Sequence, residues 1–276
     1  MGQDIYIPYR EIAKALKIPE GDALLLTSDI LKLAMKTKSH EKEFNAGQFI
    51  QSFYDALGPE GTFLLPAYNF DLEDGDAFSI RDTMPMTGAL AATALKDDTF
   101  TRTAHPLHSF LVKGKQSQYL ANMKNISSFG IDSPFAWMQE NNALMIFAGT
   151  TPAEALTFTH FVEESEQVSY RKYKRIRIRY QDRERFTSNR VYKIFSKKHG
   201  WTMQLNKLAE IMPPDIIQTQ MINGIPFYSI RCRDAFEIIS RDIRNNNASS
   251  IAGFSLKLYF RDIGISSEFS NSIPLF

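Results

Sequence analysis

Cysteine occurs once in the 276 residues, as Cys232, which excludes an intrachain disulfide and any metal site built on several thiolates. That usage fits a reducing compartment. Long apolar runs are also missing: the opening MGQDIYIPYREIAKALKIPEGD is broken by acidic and polar residues and has neither the core of a signal peptide nor the length of a membrane span. Tyr6 stands where N-myristoylation after Met-Gly would need Ser or Thr. These absences predict a cytoplasmic protein without membrane insertion. An excess of one charge is lacking too, with Lys+Arg 32 against Asp+Glu 31 and a net charge of +1, so nothing global argues for nucleic acid or an acidic partner. Any electrostatic role must be local. There is no G-x-G-x-x-G, no phosphate-binding lysine loop, no H-E-x-x-H and no G-x-S-x-G, which disfavours dinucleotide, triphosphatase, zinc-peptidase and serine-hydrolase chemistry. With no internal repeat, heptad run or linker, a single domain over 1–276 is the economical expectation.

With 43% hydrophobic residues the chain can bury a sizeable core. YREIAKALKI has helical spacing, ALLLTSDI reads as a buried strand, EFNAGQFIQSFYDALGPEG as a helix with a Gly/Pro stop, and TFLLPAY as a second strand. That order predicts an α/β fold whose site lies at strand ends. NFDLEDGDAFSIRDTMPMTG reads as a long turn-rich loop; TGALAATALK, KLAEIM and AFEIISRDI as helices; HSFLVKG, ALMIFAG and SLKLYF as strands. Residues 168–199 alternate cationic and apolar side chains around IRIRY, the pattern of an exposed strand, hairpin or sheet extension.

Candidate chemistry centres on histidine. In TFTHFVEES, read as a helix, Glu163 and Glu164 lie three and four positions after His160, so either carboxylate could share its face and orient one ring nitrogen while the other accepts a proton. Packing or surface roles remain open at this level. In TAHPLHSF, Pro106 restricts the approach to the strand that follows, and His105, His108 and Ser109 suit substrate binding or loop-shaping hydrogen bonds better than metal or covalent chemistry. Thr27 and Ser28 sit where a strand gives way to a helix and could cap it or hold a phosphate or amide. The loop SSFGIDSPF offers Ser128, Gly130 and Ser133 as a cradle or a turn.

Taken in order, GDALLLTSDI, LGPEGTFLLPAYNF, MPMTGALAATALK, RTAHPLHSFLVKGK, SSFGIDSPF, LMIFAGT and TFTHFVEE resemble the aminoglycoside 3-N-acetyltransferase family, and RCRDAFEI resembles its C-terminal part. The combination of HPLHSF, FGIDSPF and THFVEE carries the resemblance. It implies an α/β fold with a central β-sheet flanked by helices, distinct from the common GNAT acetyltransferase fold, and acyl transfer from coenzyme A to an amino sugar without a metal. It implies His160 as base with Glu163 as its carboxylate, and Ser109 or backbone N–H groups steadying charge on the thioester oxygen. Thr27, Ser28, His108, Ser109, Ser128, Gly130 and Ser133 would lie along acyl-coenzyme A; Tyr68, Asn69, His105, Arg171 and Arg175 would face the acceptor.

Antibiotic-acting members carry a glycine-rich insertion where this chain has KLAMKTKSHEKEFN, and the basic run from residue 171 would suit a diphosphate. The expected acceptor is therefore a nucleotide-linked amino sugar for surface polysaccharide. An aminoglycoside antibiotic is the alternative, followed by a non-catalytic acyl-coenzyme A-binding protein or a thioester hydrolase. A homo-oligomer is compatible with each reading.

Overall fold

In the apolar run ALLLTS successive side chains alternate between two cores: Ala23 and Leu25 enter one, Leu24 and Leu26 the other. A strand buried on both faces results, as an uninterrupted apolar run demands. The computed structural model describes residues 5–41 and 43–264. Its strands are β1 (Ala23–Ser28), β2 (Thr62–Tyr68), β3 (Ala77–Ser79), β4 (Thr101–Arg102), β5 (His108–Gly114) and β6 (Leu144–Ala148). They continue with β7 (Arg171–Gln181), β8 (Thr187–Lys197), β9 (Trp201–Met203), β10 (Gln218–Ile222), β11 (Ile225–Arg231) and β12 (Ala252–Phe254).

Seven strands form the central sheet in the order β10-β11-β6-β1-β2-β5-β4. β6, β1 and β2 run parallel, while β11 and β5 flank them antiparallel. The carboxyl ends of the three parallel strands therefore open on one side of the sheet, together with the start of β5, where His108 pairs with Tyr68. This is where α/β sheets place ligand sites. The ends come close: Gly149 has φ +72°, and a Cβ there would collide with the Asp29 carbonyl oxygen.

Helices cover both faces. Helix Ala46–Leu57, capped by Asn45 Oδ1 accepting from the Gln48 amide at 2.9 Å, buries Phe49, Ile50, Phe53 and Leu57 against one face. Burying each such side chain stabilises by about 1.5–3 kcal/mol relative to exposure. Helices Pro134–Glu140, Thr159–Ser165 and Cys232–Asn246 bury apolar residues in the core of the other face.

The basic segment is a long antiparallel hairpin of β7 and β8, joined by β3 into a separate three-stranded sheet rather than an extension of the central one. Ile176, Ile178 and Tyr180 turn inward onto Phe78, Ile80, Leu107 and Tyr192, and the arginines between them turn out. Two expectations are corrected, and a hairpin is added. The turn-rich stretch after Tyr68 contains β3, held by the hairpin. SLKLYF lies in a helix, Leu256–Asp262, because Ser255 accepts the Leu258 amide and caps it. QTQMINGIPFYSI is the β10–β11 hairpin, turning at Asn223 (φ +55°) and Gly224 (φ +76°). Among the described residues no helix is long and apolar enough to cross a membrane.

Candidate active site

Helix Thr159–Ser165 sets His160 and Glu163 on one face, and His160 Nδ1 lies 2.7 Å from Glu163 Oε2. The Glu163 side chain is 0% exposed, whereas His160 keeps 24% of its side-chain surface open. Two further donors reach the carboxylate from the residues entering β7: the Tyr170 hydroxyl donates to Oε1 at 2.7 Å and Arg171 Nη2 lies 2.8 Å from Oε2. Burial alone would raise the Glu163 pKa, but the His160 hydrogen bond, the His160 and Arg171 charges and the Tyr170 hydroxyl bring it below the ordinary value. Glu163 is thus an anion within the protein. Burial lowers the His160 pKa and the Arg171 charge adds to this, against the opposing pull of Glu163, so the imidazole is neutral near pH 7. Glu164 is tied elsewhere, accepting from Ser127 Oγ at 2.8 Å and Tyr173 OH at 3.2 Å.

A second group abuts the first through Phe129, whose ring centroid is 5.4 Å from that of His160 and 4.6 Å from that of His108. His108 Nδ1 meets Ser128 Oγ at 2.9 Å, and Ser128 Oγ also lies 3.3 Å from His105 Nε2. His105 Nδ1 accepts the backbone N–H groups of Leu107 at 3.3 Å and His108 at 3.5 Å, so this imidazole closes the turn into β5 around Pro106. Both histidines are buried. Burial holds His105 down to about 3 and pushes His108 well below the ordinary value, with the neighbouring histidines acting in the same direction.

Beside these residues a cleft of ≈ 630 Å³ follows the ends of β1 and β2 and is lined by Thr27, Ser28, Tyr68, Phe70, Thr87 and Thr157 among others. Its wall is mostly apolar, with hydroxyls spaced along it. The Tyr68 ring joins the cleft to the histidines, standing 5.1 Å from the His108 ring, and Thr157, three residues before His160, lines the same cleft. Such a wall suits a slender chain of methylenes and amides. Among the described residues no group of three His, Cys, Asp or Glu side chains could hold a metal ion.

Of the other residues singled out in the sequence, all but Arg171 lie apart from the His160–Glu163 pair. Ser109 points to the opposite face of β5 from His108; its Oγ donates to the Ala67 carbonyl at 2.7 Å and receives Arg102 Nε at 2.8 Å. Asn69 Oδ1 receives Arg102 Nη2 at 2.7 Å and its amide donates to the Met84 carbonyl at 2.7 Å. Both expected site residues thus belong to a buried knot around Arg102, which leaves the Ser109 hydroxyl no free proton for a thioester oxygen. Ser133 caps helix Pro134–Glu140 through Ala136 N, and Gly130 lies in the adjoining loop beside Ser127 and Asp132. Arg175 is exposed on the hairpin's outer face, and Arg171 is turned inward to Glu163. The spacing missed Tyr170 and Phe129; aromatic neighbours of a candidate base were their only signal.

A protein-family model described as aminoglycoside 3-N-acetyltransferase matches residues 37–243. No curated protein matches by comparison. Among solved structures, AAC-IIIb in a binary complex with CoASH aligns with TM-score 0.72 at 16% identity, covering 88% of this chain and 98% of that one. AAC-VIa bound to sisomicin aligns with TM-score 0.73 at 14% identity, covering 88% and 99%. The YokD protein from Bacillus subtilis aligns with TM-score 0.69 at 17% identity, covering 87% and 100%. At such identities these likenesses speak to the fold.

Proposed function

The chain belongs to the aminoglycoside 3-N-acetyltransferase family, a family of coenzyme A-dependent acetyltransferases whose model spans more than half of it, and on that premise we propose that it acetylates an amine of an aminoglycoside-type amino sugar with His160 as general base. The observation that carries the proposal is the 2.7 Å contact from His160 Nδ1 to the buried Glu163 carboxylate. With Nδ1–H donated to the carboxylate, the lone pair sits on Nε2, the nitrogen free to take a proton. The apolar, hydroxyl-studded cleft at Thr27, Ser28, Tyr68, Thr87 and Thr157 fits the pantetheine arm, and acetyl-coenzyme A supplies the activated acyl carbon.

Chemistry needs the amine neutral and aligned. As the amine nitrogen bonds to the acyl carbon, Nε2 removes its proton and the carbon–sulfur bond breaks; that proton balances the thiolate released. The imidazolium formed in passing is stabilised by Glu163. Exposed backbone N–H groups are left to steady the thioester oxygen, since Ser109 is committed to the Arg102 knot.

The acceptor follows from what the basic strand does. Arg171 is buried on Glu163, Arg177 pairs with Asp74, and Arg175 faces outward, so the run that favoured a nucleotide diphosphate has no side chain on the cleft. The fold neighbour bound to sisomicin points to an unphosphorylated amino sugar instead. Thiol release from acetyl-coenzyme A, followed with aminoglycosides, with nucleotide-linked amino sugars and without acceptor, tests the reading. Release that requires an aminoglycoside supports it; release only with the nucleotide-linked sugar overturns the acceptor, and equal release without any amine makes the protein a thioesterase. His160→Ala is expected to lose at least about 10²-fold in rate.

A further inference from the structure

Three atoms at the dyad form a triangle: His160 Nδ1 to Glu163 Oε2 at 2.7 Å, Glu163 Oε2 to Arg171 Nη2 at 2.8 Å, and Arg171 Nη2 to His160 Nδ1 at 2.9 Å. One ring nitrogen cannot both give a proton to the carboxylate and accept one from the guanidinium. If Nδ1 accepts from Arg171, the ring proton moves to Nε2 and the base is blocked. If both cationic-side donors point at the carboxylate, Nε2 is free. A carboxylate is the stronger acceptor, and charge-assisted bonds to it are about twice as strong as neutral ones.

Arg171 is held in place independently of His160. Its side chain is 6% exposed, Nη1 donates to the Phe195 carbonyl at 2.8 Å, and Nη2 lies 3.2 Å from Met203 Sδ. The base of the β7–β8 hairpin thereby fixes a permanent cation against the helix that carries the histidine. We propose that Arg171 is a positioning residue: by serving as the standing counter-ion of Glu163, it keeps His160 neutral with Nδ1 donating and Nε2 open to the amine proton. This rests on the base role proposed above.

The other groups around the ring do not replace it. Tyr170 is neutral and occupies the far carboxylate oxygen; Lys197, on β8, adds a weaker positive influence; His108, beyond Phe129, is buried and neutral. Without Arg171, His160 would be the nearest group able to neutralise a buried carboxylate. It would then rest as imidazolium, a form that cannot accept a proton.

The test is the titration of His160 in the full chain, read from its ring ¹⁵N resonances, alongside the pH profile of kcat/KM for wild type, Arg171→Gln and Arg171→Lys. Wild type should show the Nδ1–H tautomer and titrate below the ordinary histidine value of about 6.5. Arg171→Gln should raise the midpoint by about 1–3 pH units, losing turnover near neutrality and regaining it on the alkaline side. Arg171→Lys, which keeps the charge, should stay nearer wild type. A merely structural arginine would lower the rate equally at every pH and leave the midpoint in place, which would overturn the proposal. Finding the Nε2–H tautomer in wild type would also overturn it, even if Arg171→Gln did not fold. Because the titration needs no substrate, a wild type that titrates as expected yet turns over without His160 would overturn the base role instead.

Discussion

Replacing Glu163 by Gln removes one negative charge and leaves the shape of the dyad almost unchanged. Three donors converge on this carboxylate: His160 Nδ1 at 2.7 Å, Arg171 Nη2 at 2.8 Å and Tyr170 OH at 2.7 Å. An amide can meet the first two only by turning its oxygen toward them, which sets its NH₂ against the Tyr170 hydroxyl; that hydroxyl can rotate to accept. The hydrogen bonds survive and the charge does not. Arg171 is then a buried cation with neutral partners alone, a change that costs about 3–5 kcal/mol. Against a typical stability of about 5–15 kcal/mol the variant should fold with a clearly lower urea midpoint. The sign with pH is determined by the lowered Glu163 pKa: its stabilisation is complete above the ordinary carboxylate value and is lost as pH falls through the folded value. The gap between wild type and variant should therefore be full at neutral pH and close in acid. In catalysis the imidazolium loses its counter-ion and faces Arg171 alone; a charge pair at about 4 Å contributes up to about 4 kcal/mol at an effective dielectric near 20, so the rate should fall between about ten- and a thousandfold. Equal urea midpoints at neutral pH, or turnover within about twofold of wild type, would refute the assignment of Glu163 as the buried anion of the site.

Two further outcomes follow from residues outside the dyad. His105, held down to about 3 by burial, and His108, pushed well below the ordinary value, stay neutral in the fold while the unfolded chain protonates both near 6.5, so stability should fall by about 1.6 kcal/mol per histidine between pH 6.5 and 5. Urea midpoints across that range measure the slope; His108→Asn should remove one histidine's share of it, and an unchanged slope would show that this imidazole is not among the groups taking up protons. Arg175→Ala, on the outer face of the hairpin, should leave kcat/KM unchanged for an aminoglycoside. A loss confined to phosphate-bearing acceptors would restore the nucleotide-linked reading.

Much of the site was legible as spacing and less of it as direction. His160 and Glu163, three apart on a helix, had to share a face, but whether Glu163 or Glu164 took the imidazole was decided by Tyr170 and Arg171, which arrive from the start of the hairpin. No local pattern shows that approach. For the basic run, strict alternation around IRIRY did disclose the two faces: Ile176, Ile178 and Tyr180 pack inward and Arg175, Arg177 and Arg179 point out. In HSFLV the same alternation separates Ser109 from His108, because neighbours on a strand face opposite sides of the sheet. The motif drew both into one site; strand parity sends His108 toward Phe129 and His160 and sends Ser109 to Arg102. Asn223-Gly224 was likewise a written hairpin signal, whereas the alternating leucines of SLKLYF suggested a strand that the Ser255 cap overrode. A shared motif thus specifies which residue types gather at the strand ends, but the period of the element that carries them decides which of those side chains can touch the reacting atoms. On that criterion His160, beside the Glu163 carboxylate and the Arg171 guanidinium, is the proposed base, and Ser109 is part of the frame.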